Sequence, residues 1–409
     1  MKSETEVVSA ITTRHFETGR WTRLTIRGGT IESVDPAEGP EPVSGSDPWV
    51  APAFWDIQTN GRWGISFSDP ALTVDQVVEI VLAQAEWGAA RICPTFITAS
   101  AENFRHGVQT IAAACESDPR VASGVVGIHL EGPFISELDG YRGAHPLSAV
   151  RDPDWDLFQE LQEASGGRIV LMTLAPERPG ALEFIRKAVA SGVVIALGHT
   201  AADGPTLRAA AAAGARLSTH LGNGIASPLA RHPNPIWEQA AIDSLDASLI
   251  ADGHHLDPAT LRVLVRAKTA GRVILVSDAS PLAALPPGRY GEWAVDPSGK
   301  IVVAGTPYLA GSNQGIEVGL NQLMETAGLS LAEAIATATT QPARLLGRPL
   351  PTLTAGQAAN LVVFEHDARG VEPAFKLIRT CVDGRWTEVN QPGVKDDAAK
   401  RSVQISSNT

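Results

Sequence analysis

The stretch GVVGIHLEGPF, residues 124–134, is a short apolar run that ends in polar side chains. Its composition is that of a buried β-strand, and His129 and Glu131 lie at its end, just before a Gly-Pro pair. Apolar runs that end on a histidine or a carboxylate also occur at VVIALGHT (193–200), ARLSTHLGN (215–223), LIADGHH (249–255) and RVILVSDAS (272–280). Such a series favours a parallel sheet that carries its polar groups at the strand ends.

Between residues 50 and 280, short apolar runs alternate with amphipathic stretches. The strand candidates are 50–58, 90–98, 125–131, 168–175, 193–199, 216–220, 247–251 and 272–278. Helical patterns separate most of these runs. An eightfold strand–helix alternation predicts an α/β fold, a (β/α)8 TIM-type barrel over residues 50–349. A doubly wound open sheet is the competing arrangement.

The two ends of the chain follow a different pattern. Residues 1–49 contain RWTRLTIRGGTIESVDP (20–36), which alternates in polarity around a turn at Gly28-Gly29. Residues 350–390 again contain short strands and turns. We expect the two arms to pair into one small β-sandwich domain, and we expect the polar tail, residues 391–409, to be disordered.

Composition excludes several classes of protein. The chain has 409 residues, of which 44% are hydrophobic and 19% charged, with a net charge of -12. This acidity argues against nucleic-acid binding. No run approaches the ~18 apolar residues of a membrane span, and the N-terminus lacks the apolar core of a signal peptide. Cys93, Cys115 and Cys381 have no metal or redox spacing, which predicts reduced thiols in a cytoplasmic protein.

Four of the predicted strands end in Glu131, His199, His220 and Asp278. For any one histidine, a core or loop role is the plainer interpretation, but strand ends of a barrel meet at one rim. One carboxylate and two imidazoles fit a hydrolytic metal site that keeps a position open for water. Asp278 is then the predicted general base and acid. We expect His129, on the strand of Glu131, to contact the metal-binding side chains rather than the metal itself.

These residues resemble the N-acetylglucosamine-6-phosphate deacetylases of the amidohydrolase superfamily. The resemblance spans nearly the whole chain, and HLEGPF followed by GAH is its most specific part. The matching stretches are HLEGPF (129–134), GAH (143–145), GHT (198–200), THLGN (219–223), ADGHHL (251–256), VSDA (276–279), LAGS (309–312) and SLAEAIATATTQPARLLG (330–347).

The resemblance implies a metal-dependent deacetylase. Glu131, His199 and His220 match ligands of one divalent ion per subunit, usually zinc, although iron, cobalt and manganese tolerate the same ligands. Metal-bound hydroxide would attack the acetyl group of N-acetylglucosamine 6-phosphate, with Asp278 as general base and acid. His145 matches a histidine that helps to polarise the acetyl carbonyl. The products would be glucosamine 6-phosphate and acetate.

The resemblance also implies a set of substrate contacts. Asn223 and Gly224 match the segment that holds the sugar phosphate, although the family more often has alanine at the second position. His255 matches a further substrate-binding histidine, but the residues alone do not distinguish it from His254. Arg231 matches an arginine that reaches the neighbouring subunit's site, which would make a homodimer part of the active site. The remaining implied pocket residues are Ala144, Leu309, Ala310 and Gly311.

Plainer roles remain open for several of these positions. Asn223 could be a turn residue, Arg231 a solvated loop residue, and residues 309–311 a tight turn. Three departures from the family pattern also bear on the sugar and phosphate end, namely Arg62-Trp63, Gly222 and the sequence Arg231-His232-Pro233-Asn234. They leave open a deacetylase of an unphosphorylated or epimeric N-acetylhexosamine. Another amide hydrolysis, or a non-catalytic sugar-binding protein, is the more distant alternative.

Gln58 and Asn60 stand at the end of the first predicted barrel strand, on the same side. Many barrel hydrolases carry two metal-binding histidines in this spacing. Neutral amides are poor ligands beside imidazole and carboxylate, so we expect no second metal here. We expect both amides to hold water or to orient Glu131.

Overall fold

The computed structural model describes residues 8–39, 47–366 and 375–389. The predicted disordered tail, residues 391–409, lies outside the described residues. The chain begins with four strands of a small sheet. They are β1 (Val8–His15), β2 (Trp21–Arg27), β3 (Thr30–Pro36) and β4 (Pro48–Pro52).

The single strand predicted over residues 50–58 is wrong, because the chain leaves one sheet and enters another at Ala53. Strand β4 pairs with residues 361–365 of the small sheet. The next strand, β5 (Phe54–Thr59), pairs instead with residues 89–94 of the barrel. The Ala53 N–H donates to Asn360 O at 3.0 Å, and the Phe54 N–H donates to Gly88 O at 2.9 Å. The sequence is apolar on both sides of Ala53, so it does not reveal this change of partner.

Eight parallel strands form the barrel. A short hairpin, β6 (Gly61–Arg62) and β7 (Ile65–Ser66), follows β5. The other barrel strands are β8 (Ala89–Ile97), β9 (Ile128–Glu131), β10 (Ile169–Leu174), β11 (Val194–Leu197), β12 (Leu217–Ser218), β13 (Asp246–Ile250) and β14 (Val273–Val276).

The barrel closes between its first and last strands. The sheet runs β14-β13-β12-β11-β10-β9-β8-β5. Beyond β14, the Asp278 N–H donates to Gln58 O at 2.9 Å, and the Asn60 N–H donates to Ala279 O at 2.8 Å. These bonds join the two edges, so the predicted barrel is confirmed and the open sheet is excluded.

Helices cover the outside of the barrel. Their starts match local capping signals. Thr73 forms a capping box with Gln76, and the side chains of Asp154, Asp203 and Asp257 accept backbone N–H bonds at other helix starts. The helices up to β14 are α1 (Val74–Ala83), α2 (Ala101–Ser117), α3 (Pro119–Gly124), α4 (Trp155–Ala164), α5 (Ala181–Ala190), α6 (Gly204–Ala212), α7 (Pro235–Ala241) and α8 (Pro258–Lys268). Single 3-10 turns lie at Gln84–Trp87, Leu147–Ala149 and Ala270–Arg272.

A three-stranded antiparallel sheet follows β14, and the sequence patterns did not predict it. It contains β15 (Gly288–Tyr290), β16 (Trp293–Val295) and β17 (Ile301–Val303). Leu282, Leu285, Val295, Ile301 and Ala310 form its own small core. The strands are only three residues long, which is too short for a clear alternation.

The chain then returns to the small sheet. The remaining elements are α9 (Ile316–Glu325), α10 (Leu331–Thr337), α11 (Thr340–Leu345), β18 (Leu361–His366), β19 (Phe375–Val382) and β20 (Arg385–Glu388). The order β20-β19-β18-β4-β1-β2-β3 unites both chain ends in one sheet, which confirms that the two arms pair with each other, in a single seven-stranded sheet. No helix in the described part of the chain combines the length and the apolar composition needed to cross a membrane.

Candidate active site

Three predicted ligands converge at one end of the barrel. Glu131 ends β9, whereas His199 and His220 lie just beyond β11 and β12. Glu131 Oε1 lies 3.1 Å from His199 Nε2 and 2.9 Å from His220 Nε2, and the two Nε2 atoms are 3.1 Å apart. All three side chains are buried. One carboxylate oxygen and two imidazole nitrogens directed at a common point fit a zinc-type ion.

Both histidines have an unusual backbone conformation, and one further contact orients the ring of His199. His199 and His220 have φ values of 50° and 30°, in the left-handed region that is unusual for residues other than glycine. His199 Nδ1 lies 3.0 Å from Tyr141 O. A carbonyl oxygen can only accept a hydrogen bond, so Nδ1 carries the proton. The lone pair of His199 Nε2 therefore faces Glu131 and His220.

Glu131 is the anionic group of the cluster. Burial alone would raise the pKa of its carboxyl group. The close contacts with His199 and His220 outweigh burial and hold the pKa of Glu131 well below its usual range. The carboxylate is therefore ionised and suited to bind a cation.

Asp278 lies across the same rim, and the pKa of its carboxyl group is shifted in the opposite direction to that of Glu131. Burial raises the pKa of its carboxyl group to about 8, and the nearby Glu131 carboxylate adds to the increase. Its backbone φ is 48°, which is again left-handed. An acid with a raised pKa can take up a proton near neutral pH and release it again.

Gln58 and Asn60 were expected to hold water or to orient Glu131, and the structure shows both amides in contact with Asp278. Asn60 Nδ2 donates to Asp278 Oδ1 at 2.7 Å, and Gln58 Nε2 donates to the same oxygen at 3.2 Å. The closure of the barrel explains the difference. Strand β5 adjoins β14 across the closing seam, whereas Glu131 lies on β9, two strands away.

His129 lies among hydroxyl groups in the barrel interior. Its Nε2 is 2.8 Å from Thr173 Oγ1, which is 2.7 Å from Thr219 Oγ1, next to His220. Its Nδ1 is 3.4 Å from Thr95 Oγ1. Burial lowers the pKa of His129 to about 4, so the ring is neutral. This position agrees with a supporting role through the threonines.

His145 faces the cluster from a loop, with its ring centroid 4.3 Å from that of His199. Its Nδ1 accepts the Thr98 N–H at 3.2 Å and lies 2.8 Å from Thr98 Oγ1. Burial and the neighbouring His199 hold the pKa of His145 well below its usual range. A neutral imidazole that accepts at Nδ1 carries its proton on Nε2, where it can donate.

A cavity of about 260 Å³ opens above these residues. Most of the substrate contacts implied by the resemblance line it, but Arg231 is exposed and does not line it. Its lining includes Ala144, His145, Gly222, Asn223, Gly224, His255, Leu309, Ala310 and Gly311. Sequence reasoning missed Trp293, Pro307 and Tyr308, which the three-stranded sheet and its following loop bring to the wall. The aromatic Tyr308 just before LAGS was the available signal.

Of the two neighbouring histidines, His255 lines the cavity and His254 does not. His255 Nδ1 lies 2.8 Å from Asp252 Oδ2, and Asp252 Oδ1 accepts the N–H groups of both histidines at 2.9 Å. Burial opposes ionisation of Asp252, but these hydrogen bonds lower the pKa of its carboxyl group overall. The carboxylate thus fixes the ring of His255.

The expected position of Arg62 and Trp63 near the sugar end is wrong. Neither residue lines the cavity. Arg62 is buried, and its guanidinium group contacts Ala83 and Glu86 on the outer side of the barrel. The hairpin β6–β7 turns the side chain away from the rim, which neighbouring residues in the sequence could not indicate.

Gly224 has a steric reason to lack a side chain, and replacing it tests the cluster. Its φ is +61°, and an added Cβ would lie 2.8 Å from His199 Nδ1. We expect Gly224→Ala to displace the His199 ring and to weaken metal retention about tenfold, by analogy with lost support of a ligand. Metal content after dialysis measures this effect.

Gly167→Ala is the matched control for Gly224→Ala. Gly167 also has a positive φ, +76°, but an added Cβ would meet nothing within 4 Å. This variant shares the backbone strain without the contact to His199. Equal metal retention in both variants would contradict the steric explanation.

Fold and rim together define a class of protein, an α/β-barrel hydrolase with a three-residue cluster able to hold a metal ion. The chain belongs to the amidohydrolase family, whose profile matches residues 49–387. The human N-acetylglucosamine-6-phosphate deacetylase is 36% identical over 330 residues, which are 77% of this chain and 79% of that protein. The N-acetylgalactosamine-6-phosphate deacetylase of Escherichia coli O157:H7 is 32% identical over 349 residues, which are 84% and 90% of the two chains.

A solved structure shows the same similarity. The crystal structure of N-acetyl-D-glucosamine-6-phosphate deacetylase from Mycobacterium smegmatis superposes with a TM-score of 0.81 at 31% identity. The match covers 92% of this chain and 99% of that chain. These relatives are named as deacetylases, which are hydrolases acting on amide bonds. The resemblance found in the sequence and the prediction of an amide hydrolase are therefore confirmed.

Proposed function

We propose that this protein hydrolyses N-acetylglucosamine 6-phosphate to glucosamine 6-phosphate and acetate. The observation that carries the proposal is the Glu131, His199 and His220 cluster beside Asp278, at the base of one cavity. The names of the relatives support the same substrate. The buried, unpaired Cys93, Cys115 and Cys381 agree with a cytoplasmic location.

Glu131, His199 and His220 would hold one divalent ion per chain, which we propose to be zinc. When bound, the ion would lower the pKa of a water molecule toward ~7 and polarise the acetyl carbonyl. Gln58 and Asn60 both donate to Asp278 Oδ1, so proton transfer falls to the other oxygen, Oδ2. Asp278 takes the proton of the attacking water and passes it to the leaving amine.

His145 stabilises the oxygen of the acetyl group during this step. Because the Thr98 N–H fixes Nδ1 as an acceptor, Nε2–H is the free donor of the ring. A neutral donor placed before the reaction gains strength as negative charge develops on the acetyl oxygen. Asn223, Gly224 and His255 bind the sugar on the other side of the cavity.

The phosphate contact would come from a second copy of the chain. Among the described residues, no lysine or arginine lines the cavity. Arg231 is exposed on the loop between β12 and α7. We propose a homodimer in which Arg231 of each copy reaches the phosphate in the other.

Comparison of phosphorylated and free substrates tests this function. We expect wild-type protein to prefer N-acetylglucosamine 6-phosphate over free N-acetylglucosamine. Arg231→Met should lower kcat/KM for the phosphorylated sugar at least about tenfold, since a charge-assisted hydrogen bond contributes roughly 1.5–3 kcal/mol. It should leave the rate with the free sugar unchanged. Arg266→Met removes another exposed arginine, on α8, and serves as the control.

The alternative substrate is an unphosphorylated or epimeric N-acetylhexosamine. The lack of lysine and arginine among the described lining residues favours an unphosphorylated sugar. The N-acetylgalactosamine-6-phosphate deacetylase of Escherichia coli among the relatives favours an epimeric sugar. Equal or greater activity on free N-acetylglucosamine would contradict the phosphate assignment. A higher rate with N-acetylgalactosamine 6-phosphate would change the epimer.

A further inference from the structure

Arg62 is a buried cation that takes no part in the proposed reaction. Its side chain is 5% exposed. Nη1 donates to Ala83 O at 2.8 Å, and Nη2 donates to Glu86 Oε2 at 2.9 Å. Ala83 is the last residue of α1, where a positive charge also interacts favourably with the helix dipole. These contacts attach the hairpin β6–β7 to the end of α1.

Two indole rings lie against the Arg62 guanidinium group. Its central carbon lies 4.3 Å from the ring centroid of Trp63 and 3.9 Å from that of Trp87. A planar guanidinium group can stack on aromatic rings while its edge donates hydrogen bonds. A lysine ammonium group cannot reproduce both interactions, so the site is specific for arginine.

The hairpin that Arg62 belongs to has a strained turn. Arg62 pairs with Ile65, and the two turn residues, Trp63 and Gly64, have φ values of 57° and 84°. Two positive φ values are the pattern of a type I′ hairpin turn, which normally uses Asn or Gly at the first position. A tryptophan in this conformation is costly. Its stacking on Arg62 offsets the cost.

The other side of the hairpin holds the segment that carries Asp278. The N–H groups of Trp63 and Gly64 donate to Ala283 O at 3.0 Å and to Pro281 O at 2.7 Å. Asn60, directly before the hairpin, donates from its backbone to Ala279 O at 2.8 Å. Its side chain donates to Asp278 Oδ1 at 2.7 Å. The hairpin therefore connects α1 to the proposed general base.

We propose that Arg62 is a positioning residue for the proposed deacetylation, because it holds the hairpin so that Asn60 keeps its hydrogen bond to Asp278. The inference rests on the proposed function, and Arg62 itself touches no reacting atom. Its effect passes through the backbone of residues 60–64 to the segment 278–283. A residue that only stabilised the fold would not change the titration of the general base.

Kinetics of Arg62→Lys test the inference. The variant keeps the charge but loses the stacking and the forked hydrogen bonds. We expect kcat to fall about tenfold through misplacement of Asp278, with KM changed less than about twofold. The acid limb of kcat/KM should move to higher pH, because Asp278 loses a donor that stabilises its ionised form. Glu131, His220 and Asp56, the titratable groups that act on Asp278, are unaltered.

Three variants serve as comparisons. Trp87→Ala should reproduce the effects of Arg62→Lys, whereas Trp87→Phe keeps an aromatic face and should restore the wild-type pH profile. Arg91→Lys alters another partly buried arginine, which bonds Ala90 O and pairs with Asp383 beside the small sheet. It should leave kcat and the acid limb unchanged. An unshifted acid limb in Arg62→Lys would overturn the proposal.

Hydrogen–deuterium exchange gives a measurement that needs no substrate. In zinc-loaded full-length protein, Arg62→Lys should speed exchange in residues 60–67 and 278–283, and Arg91→Lys should not. Unchanged exchange in 278–283 would also overturn the proposal. If wild-type protein deacetylates no amino sugar, the proposed function fails, and exchange still decides whether Arg62 holds the Asp278 segment.

Discussion

Replacing Asp278 with asparagine is expected to lower kcat about a thousandfold, the size of effect that general acid–base catalysis contributes. Asparagine has the same shape, and its carbonyl oxygen can still accept the hydrogen bonds of Gln58 and Asn60. It cannot take up the proton of the attacking water. Because Asp278 is outside the three-residue cluster, metal content should equal that of the wild type. Steady-state kinetics and elemental analysis measure the two results.

Asp246→Asn is the matched control for this variant. Asp246 is also a buried aspartate, but it begins β13 at the opposite end of the barrel, where it pairs with Arg272 and Arg344. Its replacement should leave kcat of the folded protein close to the wild-type value. If Asp278→Asn kept more than about a tenth of the wild-type kcat, Asp278 could not be the general base.

Replacing His220 with alanine is expected to remove the metal and to lower activity on the order of a thousandfold, since metal assistance contributes several kcal/mol. His220 Nε2 contacts both other members of the cluster. Two remaining ligands hold a divalent ion poorly. Dialysis followed by elemental analysis should give about one equivalent of metal per wild-type chain and little in the variant.

His254→Ala removes the histidine outside the cavity and should keep full metal content. Stripping wild-type protein with a chelator should reproduce the loss of activity, and added zinc should reverse it. Metal retained by His220→Ala would contradict the assigned ligands. Two equivalents in the wild type would contradict the single site, which the use of Gln58 and Asn60 as donors to Asp278 supports.

Several features of the site were visible before the fold was known. Glu131, His199, His220 and Asp278 each stand at the end of an apolar run, and this pattern can be recognised from neighbouring residues alone. A barrel brings all carboxyl ends of its strands to one rim, so residues far apart in the chain could be assigned to one place. The small β domain was also predictable from a local pattern, the alternating runs at both chain ends.

Other features depended on contacts between distant segments. The change of sheet at Ala53 depends on β18, and the partner of Gln58 and Asn60 depends on which strands meet at the closing seam. The short strands β15–β17 carry too few residues to show a period, although they bring Trp293 to the cavity.

The sequence by itself determined the barrel, the order of its polar strand ends and the three residues proposed to bind metal. Each of these depends on a local pattern of apolar runs and on the residues that end them. Only the tertiary structure decided that Asn60 holds Asp278, that His255 rather than His254 lines the cavity, and that Arg62 contacts two tryptophans. The direction in which a loop side chain points depends on packing against segments far away in the chain, and no local pattern encodes those segments.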